Sequence, residues 1–407
     1  MAHKPYDVII IGGGIHGTGV AQAAAAAGHS VLLLEQEKLA SGTSSRSSKL
    51  IHGGLRYLEG MHFSLVRECL RERALLLKNA PSLVKLQPFH IPVYKDTRRR
   101  PWLVRSGLTL YAVLGGFNCA SLFRSLGKSQ WQDLDGLDTI GLEAVFRYYD
   151  AQTDDAALTR AVMHSAISLG AELVTGAQFI SGQLNDNGAV VQYKKDAQTI
   201  TCEARVVVNA GGPWANQILE KFTPSQPPHA VDLVQGTHII IEGTLNKGIY
   251  YMEAPTDRRA IFAMPWHGKI LVGTTETPFD AGADPASAAP HEQEAQYLLK
   301  TMASYFPAYR NLPTNPVCSA FAGLRVLPRG DSSEGNNNSA FTRPRETVLH
   351  TDRTTAPRLL TIYGGKLTAY RATAEKSLQR LQSSLPSRKA IANTRRLTLE
   401  DPGADHG

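Results

Sequence analysis

The residues with the clearest chemistry lie near the start of the chain, in Gly12-x-Gly14-x-x-Gly17, set between an apolar run and an alanine-rich stretch, with the acid Glu35 further on. Gly12 permits a tight turn, Gly14 lets backbone approach a pyrophosphate, and Gly17 lets helix and strand pack closely. Ile15 and His16 lie within the same turn, at a helix start whose N–H groups and dipole suit phosphate oxygens. Glu35, followed by Gln36, can accept hydrogen bonds from a ribose diol, and an acid there disfavours the extra phosphate of NADP. A lone glycine triplet would be weak, because glycines often only shape turns. Strand, turn, helix and acid in this order point to a dinucleotide cofactor.

The elements that must position these residues follow from periodicity. Tyr6 to Ile11 reads as a buried parallel strand, Gly12 to Gly19 as a glycine-rich turn, Val20 to Ala27 as a helix ended by Gly28, and Ser30 to Glu35 as the next strand. Ala40 to Ser48, dense in Ser, Thr and Gly, is expected to be a polar loop, and Leu65 to Leu77 a basic amphipathic helix. Gln87 to Asp150 looks less regular, and Ala156 to Ser168 looks helical. Ala171 to Tyr193 reads as strands joined at Asn185-Asp186-Asn187-Gly188, and Val206 to Asn209 as a short strand running into Ala210-Gly211-Gly212-Pro213-Trp214. His238 to Thr275 alternates β-type runs with turns, as in an antiparallel sheet flooring a substrate pocket. Asp331 to Ser339 is a solvated loop, and a polar, frayed tail is expected beyond Ser383.

Composition sets bounds. At 407 residues the chain has room for two packed domains, and 43% hydrophobic with 19% charged residues is ordinary for a globular enzyme. The balance of 43 Lys+Arg against 36 Asp+Glu gives +7, which fits an anionic substrate, an anionic cofactor or an acidic membrane surface and calls for no nucleic acid. Cys69, Cys119, Cys202 and Cys318 form no CxxC pair, so no metal and no redox pair are expected, and reduced thiols suit a cytoplasmic setting. No signal peptide and no membrane-spanning run is expected.

The stretch Ser41 to Glu59, SGTSSRSSKLIHGGLRYLE, is far more specific. With Gly12 to Gly17 it closely resembles the FAD-dependent, respiratory glycerol-3-phosphate dehydrogenases. The likeness continues through Asn209 to Trp214, Gly236-Thr237-His238, Gly273-Thr274-Thr275-Glu276, Ala322-Gly323-Leu324-Arg325, Thr342-Arg343 and Gly364 to Arg371. The resemblance implies oxidation of sn-glycerol 3-phosphate to dihydroxyacetone phosphate, with FAD reduced and electrons passed to quinone. It implies an α/β fold with an α+β substrate domain: an FAD-binding, Rossmann-like domain of the glutathione-reductase/D-amino-acid-oxidase type and an antiparallel-sheet substrate domain. Expected boundaries are 1–88, 150–230 and 345–385 for the discontinuous FAD domain, 89–149 and 231–344 for the substrate domain, and 386–407 for the polar tail. Family members continue after Gly-Gly-Lys into a helical domain, whereas only residues 372–407 follow here.

By the same resemblance, Thr43, Ser44, Ser45, Ser47, Lys49 and Leu50 line the flavin loop, Gly211 and Trp214 lie by the adenosine half, and Gly364, Gly365, Lys366, Leu367 and Thr368 lie by the flavin ring. A phosphate dianion needs bidentate donors, which guanidinium supplies better than ammonium. Arg325 and Arg343 stand where the family binds phosphate, with Arg56 as a further donor. Lys366 and a helix start after Gly365 would stabilise charge on the reduced flavin edge. The substrate hydroxyl needs a base; His238 ranks first, then His52, with Tyr57 orienting the hydroxyl. Each has a plainer reading: Arg56 as a structural ion-pair arginine, His238 as a satisfied histidine between strands. Arg98-Arg99-Arg100-Pro101-Trp102 and the apolar residues after it suit either an interfacial segment or a basic turn leading into a packed helix. The expected partners are a small phosphorylated substrate, a quinone or other acceptor, the cytoplasmic face of the inner membrane as a peripheral contact, and a second copy in a homodimer. Two alternatives remain: an amine, amino-acid or hydroxy-acid oxidase using O2, and a non-catalytic flavoprotein docked at a membrane.

Overall fold

The computed structural model describes residues 5–117, 120–280, 282–311, 314–329, 347–400 and 403. Tyr6–Ile11 is a strand buried from Asp7 onward, as strands covered on both faces are. It pairs in parallel with Val31–Glu35 and with Gln198–Asn209, and the latter pairs in parallel with Leu359–Tyr363. Glu172–Thr175 extends this parallel set beyond Val31–Glu35. Gly12, Gln36, Ala210 and Gly364 therefore all leave the sheet at one edge, the carboxyl ends where open α/β sheets bind ligands. Helices Ile15–Ala26, Asp155–Ser168 and Tyr370–Leu381 cover one face, packing Val20, Met163 and Ala374 against Val8, Leu33 and Val208. An antiparallel ribbon, Gln178–Asn185 with Gly188–Lys195, covers the other through Phe179 and Tyr193.

A second sheet, mostly antiparallel, includes ten strands among the described residues. Val231–Ile241 lies between Lys269–Gly273 and Val317–Pro328, and the register sets His238 opposite both Gly273 and Phe321. Helix Glu292–Tyr305 packs Leu298 and Met302 on one side of this sheet. Helices Phe63–Asn79 and Pro101–Leu114 pack Val66, Leu70, Val104 and Leu108 on the other.

Three expectations need correction. The first helix begins at Ile15, so Gly17 and Gly19 are helical rather than part of the turn. A Cβ on Gly17 would lie 1.9 Å from the Gly12 carbonyl oxygen; glycine is required there by the close approach, not by a turn. The span 87–150, less regular by its sequence, contains regular elements: Val84–Tyr94 pairs with Leu142–Thr153 along its length. Pro88 and Pro92 within the first of these strands obscure it, because proline argues against a strand. The arginine run, by contrast, is a basic turn leading into the packed helix Pro101–Leu114, one of its two expected readings, with Arg99 paired to Glu59 and Glu253 and Arg100 to Glu143. Lastly, the chain beyond 386 is polar but packed as far as residue 399. Arg388 pairs with Asp7 at 3.0 Å, the Ile391 N–H donates to the Ala26 carbonyl, and the Leu399 N–H donates to the Asn79 carbonyl at 2.7 Å.

Leu399 is 3% exposed and packs with Leu76, Leu83 and Tyr370. Truncating it to alanine should cost about 2 kcal/mol from lost burial and a residual cavity. Chemical denaturation of Leu399→Ala checks this, and a midpoint equal to that of the unchanged protein would mean the segment does not hold.

Candidate active site

The glycine loop is tied to the next strand by charge. The Gly13 N–H donates to Glu35 Oε2 at 2.6 Å, and the Glu37 N–H donates to Glu35 Oε1 at 2.9 Å. The N-cap residue of the helix that follows, Gly14, has no side chain to cap it, so apart from the Ile15 N–H its first-turn donors are suited to an anion. Gln36 is exposed. His16 is half-buried with its ring against Gly365, so the glycine loop touches the distant Gly-Gly-Lys turn.

The serine-rich loop joins the two sheets. Ser44 Oγ accepts from the Ile15 N–H at 2.9 Å, and Thr43 donates to the Leu324 carbonyl at 2.8 Å. Lys49 is buried, and its ammonium donates to Asp155 Oδ1 and to the Ser45 carbonyl, both at 2.6 Å. Asp155 Oδ2 accepts from the Ser47 N–H at 2.9 Å. Lys49 thus holds the loop's shape and does not project from it. Leu50, buried, enters a two-residue strand against Leu142–Thr153. Gly211 is braced by Asn209 Oδ1, and the Trp214 indole N–H donates to Asp284 at 3.3 Å.

On the far side, Gly364 and Gly365 lead into a single turn, Leu367–Ala369, that continues as Tyr370–Leu381 with Lys366 as its uncapped N-terminal residue. This helix start sits as expected from the glycine pair. Thr368 Oγ1 accepts from the His52 N–H at 3.1 Å, which fixes the His52 backbone. Lys366 Nζ lies 3.7 Å from the centroid of the buried Tyr57 ring, and the Arg56 guanidinium lies 5.6 Å from the same ring.

Three guanidiniums surround one carboxylate. Glu276 Oε1 lies 3.6 Å from Arg56 and 4.0 Å from Arg325, while Oε2 lies 3.5 Å from Arg259. Arg325 lies across Gly236, where a Cβ would come within 2.6 Å of its guanidinium nitrogens. It donates to Thr274 Oγ1 at 2.9 Å and to the Thr275 carbonyl at 3.2 Å. His238 is 1% exposed, stacks on Phe321 at 4.9 Å, and shares a 3.0 Å hydrogen bond between Nε2 and Ser48 Oγ. Its Nδ1 is buried with no hydrogen-bond partner. Burial first, then the Arg325 and Lys49 charges, hold its pKa well below the ordinary value, so the ring is neutral.

The structure thus brings together Arg56, Tyr57, Lys366, Arg325 and His238. Arg343 lies outside the described residues. Sequence reasoning gave no role to Glu276, Arg259 or Asp155; Gly273-Thr274-Thr275-Glu276 was visible as a motif, but its charge partners are distant in sequence.

A family model described as FAD dependent oxidoreductase matches residues 7–371. A glycerol-3-phosphate dehydrogenase of Pseudomonas aeruginosa is 38% identical over 94% of this chain and 74% of its own. The chain belongs to the FAD-dependent glycerol-3-phosphate dehydrogenase family. D-erythritol 1-phosphate dehydrogenase of Brucella abortus is 37% identical over 93% of this chain and 74% of its own. The FAD complex of a Bacillus halodurans glycerol-3-phosphate dehydrogenase superposes with TM-score 0.74 at 28% identity, covering 98% of this chain and 68% of that one. The enzyme is therefore an FAD-dependent oxidoreductase, and the two helix starts and the Glu35 carboxylate suit the pyrophosphate, flavin and ribose of that cofactor.

Burial also pushes the His16 pKa down to about 4. An unfolded histidine titrates near ~6.5, so below that pH the unfolded chain binds more protons and stability falls as pH drops toward 4. His16→Asn should flatten part of that fall. Thermal unfolding from pH 7 to 4 with FAD in excess checks this; parallel curves for the two proteins would contradict it.

Proposed function

We propose that this enzyme oxidises sn-glycerol 3-phosphate to dihydroxyacetone phosphate and passes the electrons to a quinone. The observation that carries the reading is the arginine cluster around Glu276. Three guanidiniums against Glu276, with Asp257 also pairing Arg259 at 3.4 Å, still leave an excess of positive charge, and planar forks bind phosphate bidentately. Arg56, the most open of the three with 35% of its side chain exposed, meets the phosphate first. Arg325 is aimed by its hydrogen bonds to Thr274 and Thr275.

His238 is the base. It stays neutral in its buried site and takes the C2 hydroxyl proton at Nε2, relayed through the Ser48 hydroxyl that shares a hydrogen bond with it. Tyr57, packed under Lys366, orients that hydroxyl. FAD, when bound, supplies the two-electron acceptor for the hydride leaving C2. Gly12, Gly14, Gly17 and Glu35 hold its adenosine and phosphate half, while Lys366 and the helix start at Leu367 set positive charge beside its ring. At the molecular surface, Met61, Phe63, Trp102, Leu103, Val113 and Phe117 are exposed. These apolar side chains support peripheral contact with the membrane that carries the quinone, on its cytoplasmic face. No helix among the described residues is long and apolar enough to cross a membrane.

The similarity to D-erythritol 1-phosphate dehydrogenase favours a second reading, in which the pocket takes a longer phosphorylated polyol. Steady-state kinetics with both phosphates and with free glycerol, using a soluble quinone, separates the possibilities. Arg325→Ala should raise KM for the phosphorylated substrate about 100-fold, the loss of one or two charged hydrogen bonds, while leaving glycerol turnover unchanged. Equal losses for phosphorylated and free polyol would contradict a phosphate role.

A further inference from the structure

Glu294 lies on the helix Glu292–Tyr305, outside the pocket, and is buried at 7% exposure. Its carboxylate accepts from Thr275 Oγ1 and Thr237 Oγ1 at 2.7 Å, from Thr277 Oγ1 and Gln235 Nε2 at 2.9 Å, and from the His291 N–H at 3.1 Å. An ionised carboxylate has about four lone-pair directions, so five donors saturate it. The donors come from three segments: the strand carrying His238, the turn after Gly273 and the helix's own N-terminus. The turn is sewn to the strand a second time, because the Thr237 N–H donates to Thr275 Oγ1 at 2.9 Å and the Thr275 N–H donates to the Thr237 carbonyl.

The same turn presents Thr274 Oγ1 and the Thr275 carbonyl to Arg325, and carries Glu276 between Arg56 and Arg259. We propose that Glu294 is a positioning residue for the anion pocket: by locking turn 274–277 it aims Arg325 and sets the spacing of the guanidiniums around Glu276. This rests on the reading of that pocket as a phosphate site. The helix is anchored independently, by Leu298 and Met302 in the core. A buried ion is a poor way to gain stability alone, since apolar replacements are often as stable. Burial opposes ionisation of Glu294, but the hydrogen bonds from Thr275, Thr237, the His291 N–H and Thr277 outweigh it, so its carboxyl stays below the ordinary range.

The test uses the purified flavoprotein as Glu294→Gln and Thr277→Val. Inorganic phosphate is titrated by calorimetry, and KM and kcat are measured with glycerol 3-phosphate. Glu294→Gln should weaken phosphate binding and raise KM by about tenfold, and Thr277→Val by about threefold, as expected for lost charged and neutral hydrogen bonds. Flavin content and kcat should stay within about twofold, because a positioning loss falls on binding. If Glu294→Gln does not fold, Thr277→Val decides. A lowered melting temperature with unchanged phosphate affinity and KM would make Glu294 merely structural and overturn the inference while the phosphate site stands. No phosphate binding by the unchanged enzyme would instead remove the phosphate reading and the inference together.

Discussion

The buried pair between Lys49 and Asp155 is the interaction on which the rest of the site depends. Its 2.6 Å contact lies inside the protein, with Lys49 also capping the Ser45 carbonyl and Asp155 accepting from the Ser47 N–H. Those three contacts fix a loop that otherwise has little regular structure. From that loop Ser44 reaches the glycine turn, Thr43 reaches the strand carrying Arg325, and Ser48 reaches His238. Removing one partner of such a pair leaves an uncompensated charge and costs about 3–5 kcal/mol. Here the loss would also uncouple the nucleotide loop from the chemical centre, because the same seven residues serve both.

The second constraint is charge. Three arginines brought close together repel, and Glu276 offsets that repulsion. The carboxylate is itself little exposed, 8% for its side chain, so its attraction is less screened than at an open surface. Preorganised guanidiniums need little rearrangement when substrate arrives, which is where such sites gain most over water. His238 stays unprotonated beside Arg325 and Lys49, as the proposed role of a base requires.

How much of this was legible in the sequence follows from the range of each requirement. The nucleotide turn was readable because Gly12, Gly14, Gly17 and Glu35 answer to local geometry, though glycine's low helix propensity placed the helix start too late. The strand Val84–Tyr94 was not, since Pro88 and Pro92 mimic a loop and its partner is far along the chain. The packed segment up to Leu399 was missed because one leucine anchors an otherwise polar stretch. At the site, Arg56, His238, Arg325 and Lys366 were singled out through resemblance to a family. The roles of Glu276, Arg259 and Glu294 could not be read, because strand register brings together residues from three separated segments.

The nucleotide cradle, the neutral histidine and the arginine cluster together support the proposal that the enzyme takes a hydride from a phosphorylated alcohol. Anaerobic titration of the oxidised flavoprotein tests this most directly. Adding sn-glycerol 3-phosphate should bleach the flavin absorbance in proportion to substrate added, while free glycerol at the same concentration leaves it oxidised. A flavin that stays oxidised with the phosphate in excess, or that is reduced equally by glycerol, would contradict the account.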